Sequence, residues 1–126
     1  HFGLKKDEYD IIDTDDSITG YYWCRTVDEI RTAFSINRFP VIGINWYEKF
    51  MQPYKKNREW WIDIGGQVLG GHAICETRCS DKRNGFKLSG TWDDEYPDVW
   101  ISYENMARLL VEDGEVCIGL DRNTVT

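Results

Sequence analysis

Long apolar runs and cationic charge are both scarce in this sequence. No stretch of the 126 residues approaches the roughly 20 apolar residues that a helix needs to cross a bilayer, so we expect a protein that is not inserted in a membrane. Lys and Arg number 15 against 22 Asp and Glu, which gives a formal net charge of −7. Because phosphate groups are bound through Lys and Arg, this balance predicts neither nucleic acid nor an anionic membrane surface as a partner. Lys55, Lys56 and Arg58 form too short a basic run to change that expectation.

Cysteine is present, but not at the density of a disulfide-stabilised domain. The four residues are Cys24, Cys75, Cys79 and Cys117. A chain of this size can bury a core without disulfides, so we expect reduced, buried thiols, with disulfides as the alternative. His72, Cys75 and Cys79 offer three local zinc ligands, but alternation along a strand places them on two faces. We therefore predict no metal and no cofactor.

The N-terminal part of the chain is acidic. The sequence begins at His1, with neither an initiator Met nor a signal-peptide pattern, so we expect it to start inside a longer gene product. Its location is left open between the cytoplasm and an assembled virus particle. Residues 1–20 carry six carboxylates between Asp7 and Asp16 and are predicted to be an extended, solvated lead-in segment. Residues 21–126 are predicted to form the folded domain.

The pattern of that domain predicts an α+β fold. Thr26 and Glu29 form a capping box that starts a helix over about 27–35. Ser102 caps a second helix over about 103–110. Short apolar runs between turn residues predict strands at Pro40–Trp46, Gly70–Cys75, Phe86–Leu88, Val99–Ile101 and Glu115–Leu120, and Asp113 with Gly114 is expected to turn the chain into the last of them. Trp60–Ile64 is a further apolar run that ends at the turn residues Gly65 and Gly66. A helix, several antiparallel strands, a helix and a last strand are typical of the α+β class.

Taken in order, five segments resemble the C-terminal, right-hand domain of papain-like cysteine peptidases. They are the helix at 27–35, PVIGINWY at 40–47, GGHAI at 70–74, FKLSGTW at 86–92 and WISY at 100–103. The resemblance covers roughly residues 20–120 and is nearest to divergent members found in bacterial and bacteriophage genomes. It implies an antiparallel sheet or half-barrel with two short helices.

The resemblance also implies roles for individual residues. In that family a cysteine thiolate attacks the substrate carbonyl, a histidine shuttles the proton and an asparagine orients the imidazole. His72 stands at the position of the histidine, and Gly90 stands at that of the asparagine, so the orienting side chain is missing. Gly70, Gly71 and Trp92 are the implied substrate-binding residues, the glycines because a peptide backbone can come close to them. The family's nucleophile lies on a helix of the other domain, and no cysteine of this chain replaces it.

Three functions remain open at this point. The first is a non-catalytic or impaired domain that binds polypeptide or assembles with other subunits, for example in a bacteriophage virion. The second is the C-terminal part of an active thiol peptidase whose cysteine lies upstream or on another chain. The third is an unrelated α+β binding module. For the first two we expect a protein contact along the face that carries His72, from the same chain, a second copy or another subunit. Trp46, Trp92 and either Trp60 or Trp61 are expected on that face.

Overall fold

A computed structural model describes residues 9–11, 18–89 and 95–121 of the chain. Its strands are β1 (Tyr9–Ile11), β2 (Ile18–Cys24), β3 (Val41–Tyr47), β4 (Tyr54–Lys56), β5 (Glu59–Trp61), β6 (Val68–Ser80), β7 (Gly85–Ser89), β8 (Val99–Ser102) and β9 (Glu115–Asp121). The helices are α1 (Val27–Ser35) and α2 (Tyr103–Val111), and a short 3₁₀ turn, Glu48–Met51, follows β3. None of the described helices is long and apolar enough to cross a membrane.

The strands form one nine-stranded sheet in the order β1-β2-β9-β3-β6-β7-β8-β5-β4. Neighbouring strands run antiparallel except β5 and β8, which are parallel and meet at Trp61 and Trp100. The predicted α+β class is confirmed, and both helices lie where the capping residues predict them.

Side-chain caps begin both helices. Thr26 Oγ1 accepts a hydrogen bond from the backbone N–H of Glu29 at 3.1 Å, and the Ser102 hydroxyl accepts one from the N–H three residues on at 3.0 Å. The capping-box carboxylate differs from its expected geometry, because Glu29 Oε1 accepts from the N–H of Arg25 at 3.0 Å rather than from that of the cap residue. Its other oxygen accepts from the hydroxyl of Tyr22. Glu29 therefore ties the start of α1 to β2.

Both helices pack on the same side of the sheet, which we call the inner face. Ile30 and Ala33 of α1 and Met106 and Leu109 of α2 are fully buried there. Every second residue of the central strands joins them, because side chains alternate between the two faces of a strand. These strand residues are Tyr22, Cys24, Ile42, Ile44, Ile74, Phe86, Leu88, Val99, Ile101, Val116 and Ile118. On the opposite, outer face Val41, Gly43, Ala73 and Cys75 are exposed.

Strand β6 contains two irregularities that decide where its side chains point. Its register with β3 shifts between Trp46 and Tyr47, and its register with β7 shifts between Glu76 and Arg78. The second shift places one extra residue on β6 and exchanges the faces that follow it.

The second shift turns Cys79 to the inner face, where its Sγ lies 3.2 Å from the hydroxyl oxygen of Tyr103. That hydroxyl also donates to Asp81 at 2.6 Å. Alternation along an unbroken strand would put Cys79 on the face of Cys75, and the shift in register reverses that placement.

Other parts of the sheet were not foreseen from the sequence. β1 and the first residues of β2 fall within the predicted lead-in segment 1–20, and they pair with each other from Tyr9 with Tyr22 to Ile11 with Gly20. The apolar run at 60–64 begins within β5, which ends at Trp61 and forms a hairpin with β4.

Asn57 and Arg58 turn that hairpin, at φ values of 53° and 66°. Two central residues at positive φ match the twist of a two-residue hairpin.

Candidate functional site

His72 lies on β6 directly opposite Ile44 of β3. The indole of Trp46 meets the imidazole edge to face, with 4.8 Å between ring centroids and 66° between ring planes. Trp46 is only 6% exposed and packs against Phe50 and Tyr96 at centroid distances of 4.9 and 5.9 Å. The imidazole therefore packs against an indole ring that is itself buried among other aromatic side chains.

Burial lowers the pKa of His72 below its usual value of 6.5. An apolar surrounding disfavours the charged form of the ring, and the Trp46 contact is part of that surrounding. The imidazole is consequently neutral at pH 7, the form that accepts a proton or a hydrogen bond from a ligand.

Two hollows meet at His72. The Trp46 hollow, of about 220 Å³, is lined by Trp46, Met51, Leu69, Gly70, Gly71 and His72. The Asp113 hollow, of about 370 Å³, is lined by Gly43, Ile44, Asn45, Gly71, His72, Ala73, Asp113 and Glu115. Gly71 and His72 line both hollows.

Gly70 and Gly71 contribute to the site for different physical reasons. Gly70 has a φ of +155°, a conformation that side-chain-bearing residues rarely adopt, and it lies beside the shift in register between β3 and β6. Gly71 has an ordinary φ, and a Cβ added to it would meet no atom within 4 Å. Gly70 therefore shapes the strand, whereas Gly71 leaves open space at a residue that lines both hollows. Whether either contacts a substrate stays a prediction.

Two residues that the resemblance singled out lie outside the described residues. Gly90, at the expected asparagine position, and Trp92, an expected substrate-binding residue, both follow the end of β7 at Ser89. Their assigned roles stay predictions. Trp46, expected on the same face, does lie beside His72 but is buried.

None of the four cysteines has the environment of a nucleophile paired with His72. All four are free thiols, and only Cys24 is fully buried while Cys75 is exposed, so the expectation of buried thiols is correct for Cys24 and wrong for Cys75. Cys75 lies three residues after His72 on β6, and the regular stretch between them places the two side chains on opposite faces. Burial raises the pKa of the Cys24, Cys79 and Cys117 thiols, which keeps them protonated near pH 7.

No metal centre is found in the part of the chain that the structure describes, where no three His, Cys, Asp or Glu side chains are grouped as ligands. The side chains of His72, Cys75 and Cys79 do not converge on one point. Cys79 contacts Tyr103, and Cys75 is exposed on the outer face.

Sequence reasoning missed the acidic rim of the Asp113 hollow. Asp113 was recognised only as a turn residue and Glu115 only as the start of a strand. The pairing of β3 with β9 brings Glu115 opposite Gly43, which in turn lies opposite Ala73 of β6. Nothing in the local sequence indicates that β3, β6 and β9 are neighbours. The acidic rim could therefore be recognised only from the order of the strands in the sheet.

Comparison with solved structures finds a fold similar to this one in xylellain, a cysteine protease from Xylella fastidiosa. The TM-score is 0.65 at 17% sequence identity. The similar region covers 82% of this chain and 40% of the xylellain chain, so this chain spans less than half the length of that protein. Comparison of the sequence with known protein families and with curated proteins finds no match. The similarity establishes a papain-like fold.

Proposed function

We propose that this chain is a papain-like domain that binds extended polypeptide across His72 and does not hydrolyse it. The observation that supports this most directly is that Gly71 and His72 line two hollows, with open space beside Gly71. A site that extends on both sides of these residues suits an extended chain better than a compact small molecule.

The chemistry around His72 supports binding without hydrolysis. Hydrolysis by a thiol needs a thiolate beside the imidazole, and the four cysteines are either on the opposite face or protonated by burial.

The charge of the groove indicates the class of peptide. Asp113 and Glu115 are exposed at the rim of the Asp113 hollow, and Trp46 and Leu69 line the apolar Trp46 hollow. A segment with a Lys or Arg on one side of His72 and an apolar residue on the other matches both. We include in the proposal that such a contact holds the domain in a larger assembly, of which a bacteriophage particle is one example.

The binding proposal is tested with fluorescein-labelled, unstructured decapeptides that carry Lys and Leu, against a matched set that carries Glu and Leu. Fluorescence anisotropy measures binding, and mass spectrometry of the same samples measures cleavage. Gly71→Trp fills the space shared by both hollows at a position with ordinary φ. Val111→Trp, at an 85% exposed position on α2, is the control.

We expect the Lys peptides to bind intact to the wild type and to Val111→Trp, and to bind at least about tenfold more weakly to Gly71→Trp. Cleaved peptide would show that the chain is catalytic. Equal binding to both Trp variants, or no binding at all, would refute the groove.

The alternative is that the chain is the C-terminal part of an active thiol peptidase. The fraction of the xylellain chain that it matches and the neutral imidazole of His72 favour this reading. An epoxide thiol-peptidase probe, applied to the protein as it exists in its source and followed by intact-mass analysis, distinguishes the two. Labelling of a cysteine outside residues 1–126 would establish the peptidase, and an unlabelled protein supports the binding domain.

A further inference from the structure

The β4 edge of the sheet carries positive charge that no described side chain neutralises. All three residues of β4 are exposed, including Lys55 and Lys56, and the exposed Arg58 follows in the turn. The two ammonium groups each lie 5.2 Å from a ring centroid, Lys55 over Trp60 and Lys56 over Trp61. Cation–π contact fixes a cation but leaves its charge uncompensated. Neither lysine forms an ion pair within the described ranges.

The other edge of the sheet lies in the most acidic part of the chain. Asp10 is the middle residue of β1, and its flanking sequence contributes Asp7, Glu8, Asp13, Asp15 and Asp16. Seven strands stand between β1 and β4 in the strand order, so these two edges of one copy do not pair with each other.

We propose that the acidic segment of one copy, residues 7–16, binds the β4 edge of a second copy, so that copies associate head to tail. Across the described residues neither β1 nor β4 has a strand partner on its outer side, and an unpaired strand edge accepts an extended segment through backbone hydrogen bonds. Charge selects the pairing, because β4 against β4 places lysines together and β1 against β1 places carboxylates together.

The geometry of this contact makes it open-ended. It joins two different surfaces of the same chain, so each copy retains one unoccupied edge for the next copy unless a ring closes. Both edge strands have three residues and the lysines of β4 are exposed, so the association is weak and strongly salt-dependent. The inference goes beyond the binding proposed at His72, since it uses neither the hollows nor the imidazole.

The test is sedimentation velocity of the full 126-residue chain over a range of concentrations, at about 0.02 M and about 1 M salt. We expect the average mass to rise with concentration at low salt only. Lys55→Glu with Lys56→Glu makes both edges acidic. Glu8→Lys, Asp13→Lys, Asp15→Lys and Asp16→Lys together leave Asp7 and Asp10 against four lysines, so residues 7–16 become basic. Each of these two variants alone should associate at least about tenfold more weakly than the wild type. An equimolar mixture of the two should recover association, because each variant then meets an edge of opposite charge.

Several results overturn the proposal. The proposal is overturned if the wild type stays monomeric at low salt. It is also overturned if either charge-changed variant associates as strongly as the wild type, or if their mixture fails to recover association. Far-UV circular dichroism checks that each variant is folded. If the Glu variant is not folded, Lys55→Gln with Lys56→Gln replaces it, and association unchanged in that variant refutes the charge pairing.

Discussion

Glu76 offers the sharpest test of how this fold is held together. Among the described residues it is the acidic residue that is fully buried, with 0% exposure, and it lies on the inner face of β6 opposite Leu88. Neither carboxyl oxygen has a hydrogen-bond partner among the described residues. Burial raises the pKa of Glu76 well above its usual value of 4.5. The folded protein therefore holds a proton at Glu76 that the unfolded chain releases.

The sign of the pH dependence follows from that proton. Between the unfolded and folded pKa values the native state binds one proton more than the unfolded state, so the free energy of unfolding falls as pH rises. The contribution of Glu76 to stability is fully present below about pH 4.5 and is lost as pH rises toward the folded pKa. The slope is about 1.4 kcal/mol per pH unit while the folded group stays protonated.

Glu76→Gln removes this slope while it keeps the size of the side chain. We expect its free energy of unfolding to gain on that of the wild type between pH 5.5 and pH 6.5, by at most about 1.4 kcal/mol, because the folded carboxyl group of the wild type keeps a proton that the unfolded chain has released. Any constant offset from the buried amide leaves that difference unchanged. Urea unfolding followed by tryptophan fluorescence at the two pH values measures it. Glu115→Gln, at an exposed position on β9, is the control and should show no such gain. Parallel stabilities for wild type and Glu76→Gln would refute a buried, protonated carboxyl group.

Three further predictions concern the site and its support. Gly70→Ala should cost about 1–3 kcal/mol of unfolding free energy because its φ is +155°, whereas Gly71→Ala should cost far less, and equal losses in urea unfolding would contradict the strain argument. The imidazole protons of His72 should titrate in NMR with a midpoint below 6.5, and a midpoint above that value would show that burial does not control the ring. Tyr103→Phe should lower the free energy of unfolding by about 1 kcal/mol, because its hydroxyl donates to Asp81, and an unchanged urea midpoint would show that this hydrogen bond is not stabilising.

Local patterns predicted the elements whose signals are complete within a few residues. Thr26 and Ser102 each cap a helix at the predicted place. The apolar run that begins at Pro40 forms β3, and Asp113 turns the chain into β9 as expected. Capping and alternation depend on neighbours along the chain, which is why they can be recognised without a structure.

Signals that need a partner strand were missed or misread. The register shift beside Glu76 has no local marker in the sequence, so alternation alone would put Cys79 on the wrong face. The β4–β5 hairpin turns on Asn57 and Arg58, and the sequence there lacks the glycine that usually marks such turns. The edge strand β1 lies in a segment too acidic to be recognised as part of a sheet.

The sequence by itself determined the α+β class, both helices, most of the central strands and the position of His72 on one of them, because each depends on local periodicity, capping or an ordered series of motifs. Only the tertiary structure decided that the indole of Trp46 packs edge to face against the imidazole. It also decided that Glu115 of β9 lines a hollow together with His72 and that Glu76 is buried in an apolar core. These features arise where residues far apart in the chain meet across a sheet. Strand order and register set those meetings, and they are properties of the whole packed chain.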